Sequence, residues 1–203
     1  MSAKKMRSSL ITWHIFWDLQ CPYARQHWHQ HRHVLANAFR EKYDFQIHLT
    51  SLAFHAQAFP GQCAAYLLGQ EKGPDAKMQF IDACFEHQHE YTNAALPDPT
   101  KSEIKRAFAN IAQQAGLLDD DDDDNNNNTS VHADNKLSYD DFIRRMDDWE
   151  NVIKPAYAEH KIALGYGVFG TPKHVINGKL VLDTESTWGV EEWKAKLDSL
   201  AEY

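Results

Sequence analysis

Cys21, Pro22, Tyr23 and Ala24 follow an alternating apolar run, Ile11 to Asp18, and precede a helical pattern, which puts one thiol where a strand hands over to a helix. A sulfur at that junction faces backbone N–H groups without intrahelical partners and the positive end of the helix dipole. Both favour the thiolate, the form that attacks disulfides. Pro22 suits the first helical position, because its missing N–H leaves nothing unbonded there. The spacing is that of a C-x-x-C redox pair whose second thiol is replaced by Ala24, so Cys21 acts without a neighbouring partner.

Other side chains near this thiol extend the set. His27 lies under two helical turns from Cys21, where a protonated imidazole would favour the thiolate further, and Tyr23 is either a hydrogen-bond donor to sulfur or a packed ring. Trp17 and Trp28 are expected in the core or in the wall of a groove. The run from His27 to His33 holds two pairs, His27 with His31 and His29 with His33, at a spacing that can bind zinc. On a helix the two pairs face opposite sides, and no H-E-x-x-H or C-x-x-C completes either, so no metal site is expected. Ser130, His132, Asp134, Leu137 and Asp141 echo a calcium loop only faintly, with Asn135 where the glycine belongs.

The elements that must position these residues follow from periodicity. Ile11, Trp13, Ile15 and Trp17 share one face of a strand, and that face alone is expected to meet the core. Tyr23 to about Glu41 fits one helix, with Ala24, Trp28, His31, Leu35, Ala38 and Phe39 in a single stripe. Phe45, Ile47 and Leu49 mark a second strand, and strand, helix, strand at this length implies a parallel pair with a right-handed crossover. From about Pro60 to Lys161 the patterns are helical. Helices are expected over Met78–Tyr91, over Ser102–Ala115 with Ser102 as N-cap, and over Tyr139–Tyr157. The stretch Asp119–Asp124 followed by Asn125–Asn128 cannot bury apolar surface and repels itself, which predicts a disordered loop. Strands return on either side of Asn177-Gly178, a hairpin signal because both residues tolerate positive φ. A final helix, Val190 to Leu200, follows with Thr187 as its cap. The expected organisation is residues 1–59 as a βαβ half, 60–161 as a helical insertion carrying the disordered loop at 119–130, and 162–203 as a ββα half.

A chain of 203 residues, 43% hydrophobic, can bury a sizeable core. Its formal charge of −8 falls to −2 without the run Asp119–Asp124, and Lys and Arg are scattered, so no nucleic-acid partner is expected. The first apolar stretch is interrupted by Thr12, His14 and Asp18, which makes it a strand and neither a signal core nor a membrane span. Three cysteines are too few and too odd for a secreted disulfide scaffold, so a cytoplasmic home with reduced thiols is expected. Cys63 and Cys84 read as small buried hydrophobes.

In the order βαβ, helical insertion, ββα, with Phe16-Trp17-Asp18-Leu19-Gln20-Cys21-Pro22-Tyr23 closing the first strand and Gly170-Thr171-Pro172 before the hairpin, the chain resembles the DsbA-like branch of the thioredoxin superfamily. The resemblance spans nearly the whole chain and implies an α/β thioredoxin-like fold with an inserted helical domain. It implies that Pro172 is cis and faces Cys21, and that Thr171 offers backbone groups to an extended peptide or to glutathione. Pro22 and Trp17 join Thr171 and Pro172 as the implied substrate-facing residues, with Cys21, Tyr23 and His27 as the chemical ones. The departure at Ala24 argues against a self-contained dithiol oxidant and leaves monothiol exchange, with no bound cofactor and glutathione as a co-substrate. Related isomerases and kappa-class glutathione transferases carry serine at the first position and activate glutathione's own thiol, a role open to Cys21 as well. A non-catalytic module that binds a peptide in the same groove is the alternative from another class.

Overall fold

The computed structural model describes residues 10–119 and 136–201. The expected Asp/Asn loop lies outside them apart from Asp119. Strand β1 (Ile11–Trp17) runs parallel to β2 (Tyr43–Leu49), pairing Ile11 with Tyr43 through to Trp17 with Leu49. Between them lie α1 (Pro22–Gln30), a π-helical turn (His31–Leu35) and α2 (Ala36–Phe39). The expected helix is thus continuous from Pro22 to Phe39 but widens at its middle, and the spacing explains it. Its buried positions Ala24, Trp28, His31, Leu35 and Phe39 average more than 3.6 residues per turn, and the wider turn absorbs the excess.

Strands β3 (Lys173–Ile176) and β4 (Lys179–Val181) complete a sheet in the order β2-β1-β3-β4, both added antiparallel. Asn177 and Gly178 take φ of 50° and 76°, as the two-residue hairpin requires. Helix α8 (Val190–Ala201) packs Trp193 and Leu197 onto the sheet. Its first carbonyl comes from Gly189, whose N–H donates to Glu192 Oε2 at 3.0 Å, so Thr187 is not the cap.

The insertion consists of α3 (Ala58–Lys72), α4 (Pro74–Glu86), α5 (Lys101–Gln114) and α6 (Tyr139–Arg145). Helix α4 begins and ends earlier than expected. Its first helical residue is Pro74, and Gln88–Glu90 form a separate 3-10 turn. Thr100, not Ser102, caps α5. Its Oγ1 accepts the Glu103 N–H at 3.2 Å while Glu103 Oε2 accepts the Thr100 N–H at 2.7 Å, a reciprocal pair that places the start two residues earlier. The expected helix Tyr139–Tyr157 is broken at Met146–Asp148. Asp148 caps a π-helical turn (Trp149–Ile153) that leads into α7 (Lys154–Gly165), which runs across the expected boundary at residue 161. Asp119 pairs with Leu137: its N–H donates to the Leu137 carbonyl at 3.0 Å, and Oδ2 accepts the Leu137 N–H at 2.6 Å.

Two layers of core result. Trp13, Ile15 and Trp17 pack against Trp28, Phe39 and Trp193, with the Trp13 and Trp193 ring centroids 4.7 Å apart. The opposite face is covered too, which corrects the expectation of a one-sided strand. Phe16 and Val175 are buried there with Ala163 of α7 and Val168. A strand at the centre of a sheet that includes a parallel pair needs both faces shielded.

Candidate active site

Cys21 is the residue immediately before α1, with φ −75° and ψ 120°, and its carbonyl accepts the Arg25 N–H at 3.1 Å. Its side chain does not cap the helix. Sγ turns instead to the other half of the chain and donates to the Thr171 carbonyl at 3.2 Å, beside the cis peptide bond between Thr171 and Pro172. Cys21 is only 4% exposed, and Thr171 is largely buried with its Oγ1 lacking a hydrogen-bond partner.

The loop that carries the thiol is held from several sides by groups the sequence reading did not single out. The Asp18 carboxylate accepts the Gln20 N–H and the Leu52 N–H, both at 2.7 Å, and His55 Nδ1 lies 3.0 Å away. Burial pushes this carboxyl up despite those donors. Gln20 Nε2 donates to Gln57 Oε1 at 2.6 Å and to the Tyr91 carbonyl at 3.0 Å. From the insertion, Gln88 Nε2 donates to the carbonyls of Leu19 and Cys21 at 2.7 and 3.2 Å, and the Tyr91 hydroxyl donates to Leu19 at 2.8 Å. The only sequence signal for this clamp was a lone acid, Asp18, at the end of an apolar strand; Gln88 and Tyr91 lie about 70 residues away and carry no local mark.

Several expected site residues stand elsewhere. Trp17 is fully buried and forms no groove wall; its ring meets Trp28 at 4.8 Å and His31 at 5.2 Å, because it occupies the core face of β1. His27 is also fully buried, and burial together with the neighbouring His31 lowers it to about 3, so it supplies no positive charge for a thiolate. Tyr23 is 64% exposed and neither packs nor reaches the sulfur. Pro22 is exposed beside it, and Phe169, two residues before Thr171, is 77% exposed. Cys63 and Cys84 are buried thiols on α3 and α4; burial pushes Cys63 up to about 12 and Cys84 well above its ordinary value. Among the described residues no three His, Cys, Asp or Glu side chains are grouped to hold a metal ion, and no helix is long and apolar enough to cross a membrane.

No protein-family profile and no curated protein matches the sequence. Solved structures match the fold. A Pseudomonas syringae protein proposed to be a protein-disulfide isomerase is 18% identical with a TM-score of 0.66, over 92% of this chain and 93% of its own. DsbA2 from Pseudomonas aeruginosa is 18% identical with a TM-score of 0.63, over 96% and 90%. The oxidoreductase DsbA from Xylella fastidiosa is 18% identical with a TM-score of 0.60, over 96% and 86%.

Proposed function

Given a thioredoxin fold with a DsbA-like helical insertion, we propose that this chain is a monothiol thiol–disulfide oxidoreductase working through Cys21, with glutathione as co-substrate. The observation that carries the reading is the contact of Cys21 Sγ with the Thr171 carbonyl beside cis Pro172. It sets the sulfur against a backbone segment that an extended disulfide-bearing peptide or glutathione could line. Exposed Pro22, Tyr23 and Phe169 would form the rim.

The chemistry is exchange and needs no external oxidant. Once Cys21 gives its proton to solvent, the thiolate attacks one sulfur of a disulfide RS–SR′. A bond forms between Cys21 Sγ and the R sulfur, the S–S bond breaks, and R′S⁻ leaves with the electron pair. With Ala24 at the fourth position no second thiol resolves the mixed disulfide. A glutathione thiolate attacks the R sulfur, giving GS–SR and returning the Cys21 thiolate. Tyr23 serves as rim rather than as chemistry, and a reducing compartment, the cytoplasm, suits a thiol that depends on glutathione.

Incubation with oxidised glutathione followed by intact-mass measurement tests this. One adduct at Cys21, absent in Cys21→Ser and removed by reduced glutathione, is the expected result. No adduct on the wild-type protein overturns the reading and leaves a binding module. Glutathione binding that survives Cys21→Ser points to a transferase or isomerase role.

A further inference from the structure

Behind Cys21 the core contains an unusual set of side chains. His27 lies on α1, His31 follows it one turn on, and His174 lies on β3 two residues after Pro172. The His27 and His174 ring centroids are 4.7 Å apart, those of His27 and His31 5.8 Å, and His174 lies 4.4 Å from Trp193 of α8. All three imidazoles are buried, and His27 Nε2, His174 Nε2 and His31 Nδ1 have no hydrogen-bond partner.

Two indoles fix the state of two of these rings. Trp17 Nε1 donates to His27 Nδ1 at 3.0 Å, and Trp13 Nε1 donates to His174 Nδ1 at 3.1 Å. An indole nitrogen can only donate. Each Nδ1 must therefore be a bare lone pair, and each ring neutral with its hydrogen on Nε2. A proton added to either ring would set one N–H against another in a place without water. The same tautomer denies a metal ion the Nε2 lone pairs.

The two rings also join particular elements. His27 is carried by the helix that begins beside Cys21, and His174 by the strand that begins just after Thr171. We propose that the His27–His174 contact, held neutral by Trp17 and Trp13, is an acid-released latch between α1 and β3, so that acidification parts the two elements bearing Cys21 and Thr171. The latch is a statement about packing; its bearing on activity rests on the Cys21 reading above.

The charged and titratable neighbours all oppose protonation. His27 faces His31 on its own segment and His174 on β3, with Trp17 of β1 and Trp193 of α8 closing the remaining sides. His174 also feels Lys173. Burial holds His27 at about 3, His31 at about 4 and His174 well below its ordinary value. An opened form takes up protons below about pH 6.5 that the closed form refuses, so each histidine released multiplies the opening equilibrium by up to about tenfold per pH unit.

Amide hydrogen-exchange protection factors between pH 7 and 4.5 test the latch, comparing the wild-type protein with His27→Asn/His174→Asn. Asparagine Oδ1 can accept the indole N–H but does not titrate. In the wild type, protection in α1 should fall about tenfold or more per pH unit below 6.5 and stay lower throughout than in α3 and α5, whose exchange follows global unfolding. The double variant, in which His31 alone of the three still titrates, should show a much shallower profile in α1. An equal fall in both proteins, or protection in α1 that equals that of α3 and α5 at every pH, overturns the proposal. Should the variant not fold, nitrogen NMR of the wild-type imidazoles decides: the Nε2–H tautomer at both His27 and His174 at pH 7 supports the latch, and Nδ1–H at either ends it. Neither readout involves the thiol, so failure of Cys21 chemistry and failure of the latch are told apart.

Discussion

The Asp18 carboxylate accepts the backbone N–H of Leu52 at 2.7 Å, which fastens the thiol loop to the segment after β2. Its second oxygen holds the Gln20 N–H, so Asp18→Asn should leave one donor facing an amide N–H and destabilise the fold by about 1–3 kcal/mol. The pH dependence has a defined sign. Burial raises the folded pKa of Asp18, so its titration contributes stability that is complete below about 3.8 and is lost as pH rises through the folded value. Asparagine does not titrate, and the deficit of the variant should shrink from pH 4 to pH 7. Urea unfolding across that range measures it; a deficit that grows with pH would refute the assignment.

Six histidines, His14, His27, His31, His48, His160 and His174, are held below their ordinary value, each chiefly by burial. A lowered folded pKa means stability that is full above about 6.5 and lost as pH falls toward the folded values. Thermal unfolding should show a clear drop in midpoint between pH 7 and pH 5. A midpoint that stays level would show that these rings do not remain neutral.

Gly61 sits where α3 meets α5. A Cβ there would fall 2.7 Å from Phe108 Cζ and 2.9 Å from Leu19 Cδ1, both in the packed interior. Gly61→Ala should therefore destabilise by about 1–3 kcal/mol through overpacking, despite the better helix propensity of alanine. A stabilised variant in urea unfolding would mean that the ring can move aside.

Ala24 is fully buried in the first turn of α1, at the position a resolving thiol would take. Ala24→Cys should convert the lasting Cys21–glutathione adduct into an intramolecular disulfide, seen as a mass two hydrogens lighter after oxidised glutathione. An adduct that persists in the variant would place the two sulfurs out of reach of one another.

Much of the frame was legible in the chain. The parallel pair β1 and β2 follows from alternation separated by one helical stretch, and the hairpin from Asn177-Gly178, because these signals are local. What escaped depends on distant partners or on competing local ones. Thr100 outcompeted Ser102 as cap only through its reciprocal bonds with Glu103. The break at Met146–Asp148 follows Asp148 side-chain bonding, which periodicity does not register. Near the site, Cys21 and Thr171 were brought together by resemblance and not by spacing. The neutrality of His27 is not legible either, because helix position says nothing about what covers the ring.

A strand-to-helix turn ordinarily leaves its carbonyls to water, but here Gln88 and Tyr91 of the insertion occupy those of Leu19 and Cys21. Without those two side chains the turn bearing the thiol would lose three of the hydrogen bonds that fix its shape. The seat of the sulfur against Thr171 is thereby shared between two parts of the chain, the sheet that brings Thr171 and the inserted helices that hold the turn.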